Sequence, residues 1–128
     1  MAKASSVPVI PRIALTLTRY PGSTIADWQV AESAITNLGG IGVINMVHLL
    51  LLDISALVGN ITIRLYANIN GVQQQCYSQI FSVAIDGPGL PIINGTLALY
   101  GIVVVTAQSD NPADDGQPIG WEYILGGT

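Results

Sequence analysis

The feature that most constrains the fold of this chain is a strict two-residue alternation that recurs between turn-forming residues. It is clearest in residues 61–69, ITIRLYANI, where apolar side chains occupy every second position before Asn70-Gly71. Successive side chains of a strand point to opposite faces, so the pattern predicts a half-buried strand. Asn-Gly suits a tight hairpin turn, and residues 72–83 then supply the return strand.

Other segments carry a similar signal. We predict further strands over residues 12–20, 27–31, 34–37, 43–52, 96–108 and 119–125. Pro21-Gly22 is expected to end the first strand, and Gly101 to form a bulge. The apolar run 43–52 is expected to be covered on both faces. Two segments rich in Gly, Pro, Asp or Asn are predicted to be loops, 86–95 and 109–118.

Six to eight short strands, separated by turn signals and without a convincing helix, define an all-β chain. The expected architecture is a single-domain antiparallel β-sandwich over residues 12–128, either jelly-roll-like or a small barrel. Residues 1–11 form an extended N-terminal arm in this interpretation, because Pro8 and Pro11 prevent a regular helix. The pattern leaves the order of the strands open.

Charge is scarce in this chain. Only 9% of the 128 residues are charged and the mean hydropathy is +0.53, against about 25% charged residues in a typical soluble domain. Such a composition is typical of a membrane protein, or of a protein covered by copies of itself or by partners. Residues 39–59 are about long enough to span a bilayer. Four polar residues interrupt them, however, and we therefore expect no membrane partner: Asn45, His48, Asp53 and Ser55.

The positive charges are too few for nucleic-acid binding, which requires a clustered basic surface. The chain has four, and none lies beyond residue 64: Lys3, Arg12, Arg19 and Arg64. The opening residues, MAKASSVPVIPR, do not resemble a secretory signal. We expect a protein made in the cytoplasm and either used there or assembled into a larger particle.

Reactive side chains are equally few. A single cysteine, Cys76, excludes an intrachain disulfide, and a single histidine, His48, excludes zinc sites built from several Cys and His. His48 is expected on the outer face of a strand or within an interface rather than as a general base. Cys76 is expected to be a small buried or half-buried apolar side chain.

The acidic loop at 109–118 is the remaining candidate for chemistry. It offers oxygen ligands of the kind that calcium takes, without the spacing of an EF-hand: Asp110, Asn111, Asp114 and Asp115. A solvated turn is the favoured interpretation over calcium. Hydrolysis by Asp114 paired with Glu122 is favoured still less. We assign no catalytic residue, no cofactor and no metal ligand.

The polar positions of the predicted strands indicate contact surfaces instead. In VQQQCYSQ (72–79) they are neutral, and Lys is missing from every predicted strand, although Lys commonly protects the edges of monomeric sheets. Neutral amides are cheaper to bury in an interface than charges are. Edges and faces of the sheets are therefore expected to be covered by neighbouring subunits, and the strand face that carries Arg64 is expected to be a contact surface.

Three segments follow one another in a recognisable order: LLLLDISALVGNITIRLYANINGV, a Gly/Pro loop, and GIVVVTAQSDNPADDGQPIGWEYIL. This order resembles that of small β-sandwich structural proteins of tailed bacteriophages, over roughly residues 45–125. The resemblance implies a virion component, above all one that decorates or cements a capsid shell. It also implies an N-terminal arm laid across neighbouring subunits.

We therefore expect a non-enzymatic structural protein of the virion, made in the host cytoplasm. It would form a homo-oligomer, with a trimer as the expected state, and bind the major capsid protein or another virion protein. The expected contact residues are the arm, Arg64 and three exposed aromatics: Val7, Pro8, Val9, Ile10, Pro11, Trp28, Arg64, Trp121 and Tyr123. The alternatives are a carbohydrate- or receptor-binding module of a phage tail that uses the three aromatics, and a self-assembling tube or filament subunit.

Overall fold

A computed structural model of the chain describes residues 16–40 and 44–127. Eight strands form two four-stranded antiparallel sheets. They are β1 (Thr16–Asp27), β2 (Ser33–Leu38), β3 (Ile44–Asp53), β4 (Ile61–Ile69), β5 (Val72–Phe81), β6 (Gly89–Tyr100), β7 (Val103–Ser109) and β8 (Asp115–Gly127). Two short helical segments, α1 (Val83–Asp86) and a 3-10 turn (Pro112–Asp114), connect them.

The strand order identifies the architecture. Sheet A has the order β1-β8-β3-β6, and sheet B the order β2-β7-β4-β5. An eight-stranded double sheet with this crossover order is a jelly roll. The expected all-β sandwich is therefore confirmed in its jelly-roll form, whereas the arm predicted at residues 1–11 lies outside the described residues.

One hydrophobic core lies between the two sheets. Strand β4 shows its alternation in the structure, since Ile61, Ile63 and Leu65 are buried while the residues between them are half-exposed. Leu50 and Leu52 of β3 are buried in the same core from sheet A. Removal of this apolar surface from water is the main force that holds the sheets together.

The hairpin predicted from Asn70-Gly71 is confirmed. Asn70 has φ 53° and Gly71 has φ 80°, the two positive values that this tight turn requires. The paired strands run from Ile61↔Phe81 to Ile69↔Val72, with a register shift between Leu65 and Tyr66.

The first quarter of the chain departs from the sequence-based expectation in two places. Pro21-Gly22 does not end a strand, because β1 continues through both residues to Asp27. Among the strands of residues 16–40 and 44–127, β1 lies at an edge and pairs with β8 alone, and an edge tolerates the missing N–H of a proline. Residues 28–30 form a turn rather than part of a strand, with the Val30 N–H donating to the Asp27 carbonyl at 3.1 Å.

The second half of the chain also departs from expectation. The predicted loop at 86–95 is largely the first half of β6, again an edge strand that accommodates a proline, Pro91. Gly101, predicted as a bulge, has φ 82° and lies between β6 of sheet A and β7 of sheet B. It therefore allows the chain to change sheets.

Strand β3 is covered on one face only, contrary to the prediction for 43–52. Val47, Leu50 and Leu52 point into the core and are buried. Ile44 and Met46 are exposed on the opposite face, to 72% and 41%. An apolar strand that faces solvent is the first sign of a contact surface.

Candidate functional site: the outer face of sheet A

Trp28 is a core residue, which corrects the expectation that it is exposed. Its exposed fraction is 0%. The indole Nε1–H donates to the Gln117 carbonyl at 2.7 Å, and the Ser109 N–H donates to the Trp28 carbonyl at 2.9 Å. The ring therefore joins the β1–β2 turn to β7 and β8 and presents no face to a partner.

Tyr123 and Trp121 also point inward rather than outward. Tyr123 is 8% exposed and stacks on Tyr20 at 5.0 Å and on Trp121 at 5.6 Å between ring centroids. Trp121 is half-buried, and its Nε1–H donates to the Thr24 hydroxyl at 3.1 Å. Trp28 and Tyr123 thus lack the free ring faces on which a sugar would stack, and the platform expected from the three aromatics is not formed.

Arg64 lies on the outer face of sheet B, as expected, but it is engaged within the chain. Its Nη1–H donates to Glu32 Oε1 at 3.0 Å and to Gln108 Oε1 at 3.2 Å. Tyr66 donates its hydroxyl proton to the other carboxylate oxygen of Glu32 at 2.6 Å, and Thr106 donates to the same oxygen. The positive charge is therefore neutralised by a network that attaches the β1–β2 turn to sheet B.

This network lowers the pKa of the Glu32 carboxyl. Burial alone would raise the pKa of Glu32. The hydrogen bonds from Thr106 and Tyr66 and the charge of Arg64 outweigh that effect and hold the pKa below its ordinary value of 4.5. The same bond to Glu32 raises the pKa of the Tyr66 hydroxyl. Glu32 is thus held ionised as a structural anchor.

The acidic loop uses its carboxylates to bind backbone N–H groups. Asp114 is wholly buried and accepts from the N–H of Val58 at 2.7 Å and of Gly59 at 3.0 Å, and from the hydroxyl of Ser109. Asp110 accepts from the backbone and side chain of Asn60, which lowers the pKa of that carboxyl.

Asp115 takes the same role at the other end of the loop, where it accepts from the N–H of Gln29 at 2.7 Å. Within residues 16–40 and 44–127, no group of three or more His, Cys, Asp or Glu is arranged to hold a metal ion. The oxygens of these carboxylates are directed at N–H donors of the chain, so the loop fastens neighbouring connections together.

His48 and Cys76 lie on strands of different sheets. His48 occupies a bulge of β3, is half-buried, and has its Nδ1 3.1 Å from the Thr96 hydroxyl. Cys76 is exposed at the bulge of β5, so the expectation of a buried or half-buried thiol is wrong. The two residues are not brought together with each other or with a carboxylate in the contacts of the described chain.

The outer face of sheet A is a continuous surface of mainly apolar residues, which we define from the strand register. Paired residues of antiparallel neighbours share a face, so the registers divide this face into rows. Each row is written across the sheet in the order β1, β8, β3, β6, and the first and last rows include only two of these strands. From one end of the face to the other, the rows are Ile25/Pro118, Ser23/Gly120/Asp53/Gly89, Pro21/Glu122/Leu51/Pro91, Arg19/Ile124/Leu49/Asn94, Leu17/Gly126/Met46/Ala98 and Ile44/Tyr100.

Its chemistry differs from that of an ordinary solvated face. Apolar side chains dominate the rows, and several are largely exposed, with Leu17 at 56%, Ile25 at 68% and Tyr100 at 69%. Only three charged residues belong to it. Arg19 and Glu122 pair with each other at 2.9 Å, and Asp53 accepts from the N–H of Ser55.

The outer face of sheet B provides an internal comparison. Its rows are mainly neutral polar, with Gln73, Gln75 and Ser78 on β5 and Gln108 on β7, together with the network around Arg64. Residues on the outside of the same sandwich are therefore mainly apolar on one sheet and mainly polar on the other, where Ile80 of β5 is an exception. This asymmetry assigns the candidate contact surface to sheet A.

A shallow groove crosses part of the outer face of sheet A. It has a volume of about 410 Å³ and includes Leu51, Asp53, Gly89, Gly120 and Glu122 in its lining. The row Ser23–Gly120–Asp53–Gly89 contains two glycines, so little side-chain bulk rises from the sheet there. The depression is suited to a side chain of an apposed surface.

Sequence reasoning missed this surface, although a signal was present. In β3 the positions that alternate with the core residues are Met46, Leu49 and Leu51, where a solvated strand would carry polar residues. The apolar run was instead interpreted as a strand covered on both faces. Its partners in the rows, on β1, β8 and β6, could be recognised only from the strand order.

No protein-family model matches this chain, and a search of curated proteins finds no significant match to it. Across residues 16–40 and 44–127, no helix has the length and apolar character needed to cross a membrane. The functional assignment therefore depends on the geometry above and on the resemblance in the sequence.

Proposed function

We propose that this protein is a non-enzymatic structural subunit that is built into a larger protein assembly through the outer face of sheet A. The observation that carries the proposal is the apolar character of that face in a chain that is poor in charge. An exposed apolar surface of this kind marks an interaction site in soluble proteins. The carboxylates in the Glu32 network and the acidic loop already serve the fold, which argues against their use as catalytic acids or bases.

The assembly to test first is the capsid of a tailed bacteriophage. The sequence resemblance supports it, and so does a fold-level analogy, since jelly rolls are common in viral capsid proteins. They also occur in lectins, so the fold alone does not choose between the two classes. The burial of Trp28 and Tyr123 favours the structural role over the sugar-binding one.

In this role the protein decorates or cements the shell as a homo-oligomer that contacts the major capsid protein. The arm residues Val7–Pro11 supply further contacts to the shell in the proposal. Burial of apolar surface at the junctions opposes separation of the shell subunits, at about 25 cal/mol per Å² before the cost of association.

Particle fractionation tests the proposal. An antibody against the recombinant protein is used to probe density-gradient fractions of virus particles from the culture that carries the gene. We expect the protein to migrate with DNA-filled particles, and purified protein to rebind particles from which it has been stripped. Recovery of the protein only from fractions free of particles would overturn the proposal.

A truncation tests the contribution of the arm. Deletion of residues 1–11 is expected to weaken rebinding to stripped particles while leaving the far-UV circular dichroism of the sandwich unchanged. Undiminished rebinding by the truncated chain would remove the arm from the contact surface without affecting the assignment of sheet A.

A further inference from the structure

We propose that the outer face of sheet A packs against the same face of a second copy of this chain, across a two-fold axis that lies in the interface and runs perpendicular to the strands. This inference rests on the proposed function and names the partner of its contact surface. It makes the building block of the assembly a back-to-back pair of sandwiches.

The first argument is the arrangement of charge on the face. An interface between identical copies across a two-fold axis must be complementary to itself. Arg19 lies in the row with Ile124, and Glu122 lies in the adjacent row with Leu51. A two-fold axis between these rows exchanges them, so Arg19 of each copy comes close to Glu122 of the partner subunit.

The exposure of the two groups supports such an exchange. The Arg19 side chain is 64% exposed and that of Glu122 is 32% exposed, although the two are paired at 2.9 Å. Arg19 therefore retains free N–H donors on the solvent side. A guanidinium has five donors and can bind two carboxylates at once, so the pair within each copy need not break.

The second argument is size and shape. Four strands at about 4.8 Å spacing and nine residues of β1 at about 3.3 Å each give a flat area of about 500 Å². Two such faces contribute about 1,000 Å², which reaches the lower bound for specific interfaces. Sheets also pack on one another at about 10 Å with interdigitated side chains, as the inner faces of this sandwich already do.

The third argument is that the centre of the face can be desolvated. Leu49, Leu51 and Ile124 occupy its two central strands, and Glu122, the one charged residue among them, is paired with Arg19 of the edge strand β1. Asp53 lies one row further along β3. A centre of mainly apolar side chains whose single charge is already paired can be removed from water in an interface. A partner with a strongly charged surface would leave these side chains poorly matched.

One test places a charge in the face. Met46→Lys is compared with Ile80→Lys, its matched control on the outer face of sheet B, where Ile80 is 64% exposed. Sedimentation equilibrium of the full chain should show a dimer for the wild type and for Ile80→Lys. Met46→Lys should dissociate about 10-fold or more readily, since a lysine would be buried in the interface.

A second test distinguishes contacts between copies from contacts within a copy. Arg19→Glu and Glu122→Arg should each weaken self-association about 10-fold, because like charges then meet across the axis. An equimolar mixture of the two variants should recover pairing to within about threefold of the wild type, because each charge meets its opposite in the mixed dimer. A purely internal ion pair would give a mixture no stronger than its components, which would overturn the inference.

The outcomes separate this inference from the proposed function. A monomer, or a trimer whose formation is insensitive to Met46→Lys, would overturn the face-to-face pair. Recovery of the protein with particles would then still support the structural role. Conversely, the protein could form a dimer that Met46→Lys weakens and yet never migrate with particles. That result would support the face-to-face dimer and refute the proposed role.

Discussion

At the scale of single residues, the chain uses its few acidic groups to hold loops in place. The acidic side chains Glu32, Asp53, Asp86, Asp110, Asp114, Asp115 and Glu122 all accept hydrogen bonds from other parts of the described chain. The sequence indicated possible calcium ligands at 109–118 because the acids are adjacent there. Their partners, such as the N–H groups of Val58 and Gly59, are more than 50 residues away and only the fold brings them close.

Asp114 is expected to be the most important of these anchors. Replacement by Ala removes the acceptor of the Val58 and Gly59 N–H groups and of the buried Ser109 hydroxyl, at a cost of about 3 kcal/mol in the free energy of unfolding. Asp86→Ala is the matched control, because Asp86 accepts a single exposed N–H from Ser82 that water can replace. Urea denaturation compares them, and equal losses for the two variants would contradict this role.

Glu32 makes stability depend on pH in a defined direction. Since its pKa is lowered in the folded state, it contributes stability that is present above its ordinary pKa of 4.5 and is lost as the pH falls through the folded value. The wild type should therefore be more stable than Glu32→Gln at about pH 7, and the difference should shrink as the pH falls below the ordinary pKa of 4.5. Denaturation of both proteins at several pH values measures this difference in the free energy of unfolding.

Glu122→Gln serves as the control for this titration. Its partner Arg19 also lowers the pKa of Glu122, but in the separated chain the pair is exposed and screened by solvent. At protein concentrations below those of self-association, this variant should therefore lose less stability than Glu32→Gln. A difference between the wild type and Glu32→Gln that stays constant from neutral to acid pH would contradict the network described around Arg64.

At the scale of elements, two similar turn signals had different outcomes. Asn70-Gly71 follows an alternating strand and forms the turn that both features indicate. Pro21-Gly22 is an equally strong turn signal, yet β1 continues through it. The reason is tertiary, because Gly22 faces Trp121 across the pair and the indole ring occupies the space where a β-carbon would be.

Gly22→Ala should therefore disturb a ring rather than the backbone. The added methyl group meets the six-membered ring of Trp121, and displacement of that ring should cost about 1–3 kcal/mol. Tryptophan fluorescence should shift to the red as Trp121 becomes more exposed, while Trp28 stays buried. Combination with Trp121→Phe, which supplies a smaller ring, should recover part of the loss, and no recovery would argue against the contact.

Gly71→Ala tests the hairpin turn by strain alone. No atom lies within 4 Å of the added methyl group, so the expected cost of about 1 kcal/mol comes from the φ of 80°. Gly89→Ala is the control, since its added methyl group is equally free and the residue lies within β6. In thermal denaturation, the midpoint temperature of Gly71→Ala should be lower than that of the wild type, and the midpoint of Gly89→Ala should stay near it.

At the scale of the whole molecule, the two outer faces differ in chemistry, and the contact surface that we propose is not the one predicted from the sequence. The neutral polar face of β4 and β5 was expected to be the contact surface because it lacks lysine. The structure shows that its arginine is already neutralised by Glu32, and that a more apolar face lies on sheet A. Fold class could be predicted because alternation is local. The apolar face that we propose as the contact surface could not, because it joins four strands whose order is not local.

Lysines on sheet B are therefore expected to be tolerated. In Gln73→Lys combined with Gln75→Lys, both changes lie at exposed positions of β5. The free energy of unfolding should change by less than about 0.5 kcal/mol, and self-association should stay at the level of the wild type. Urea denaturation measures the free energy of unfolding, and analytical ultracentrifugation measures self-association. Loss of association in the double variant would indicate that the contact surface lies on sheet B.

The position of β8 in sheet A determines when the protein can fold. Strand β8 is the last strand of the jelly roll in sequence, yet it lies between β1 and β3 and is the only neighbour of β1. During synthesis, β1 and β3 remain without this partner until residues 115–127 have left the ribosome. Completion of sheet A is then a late event that depends on contacts distant in sequence, which makes folding slow. Until that point, the apolar side chains of β1 and β3 are exposed without this partner strand and are prone to aggregate.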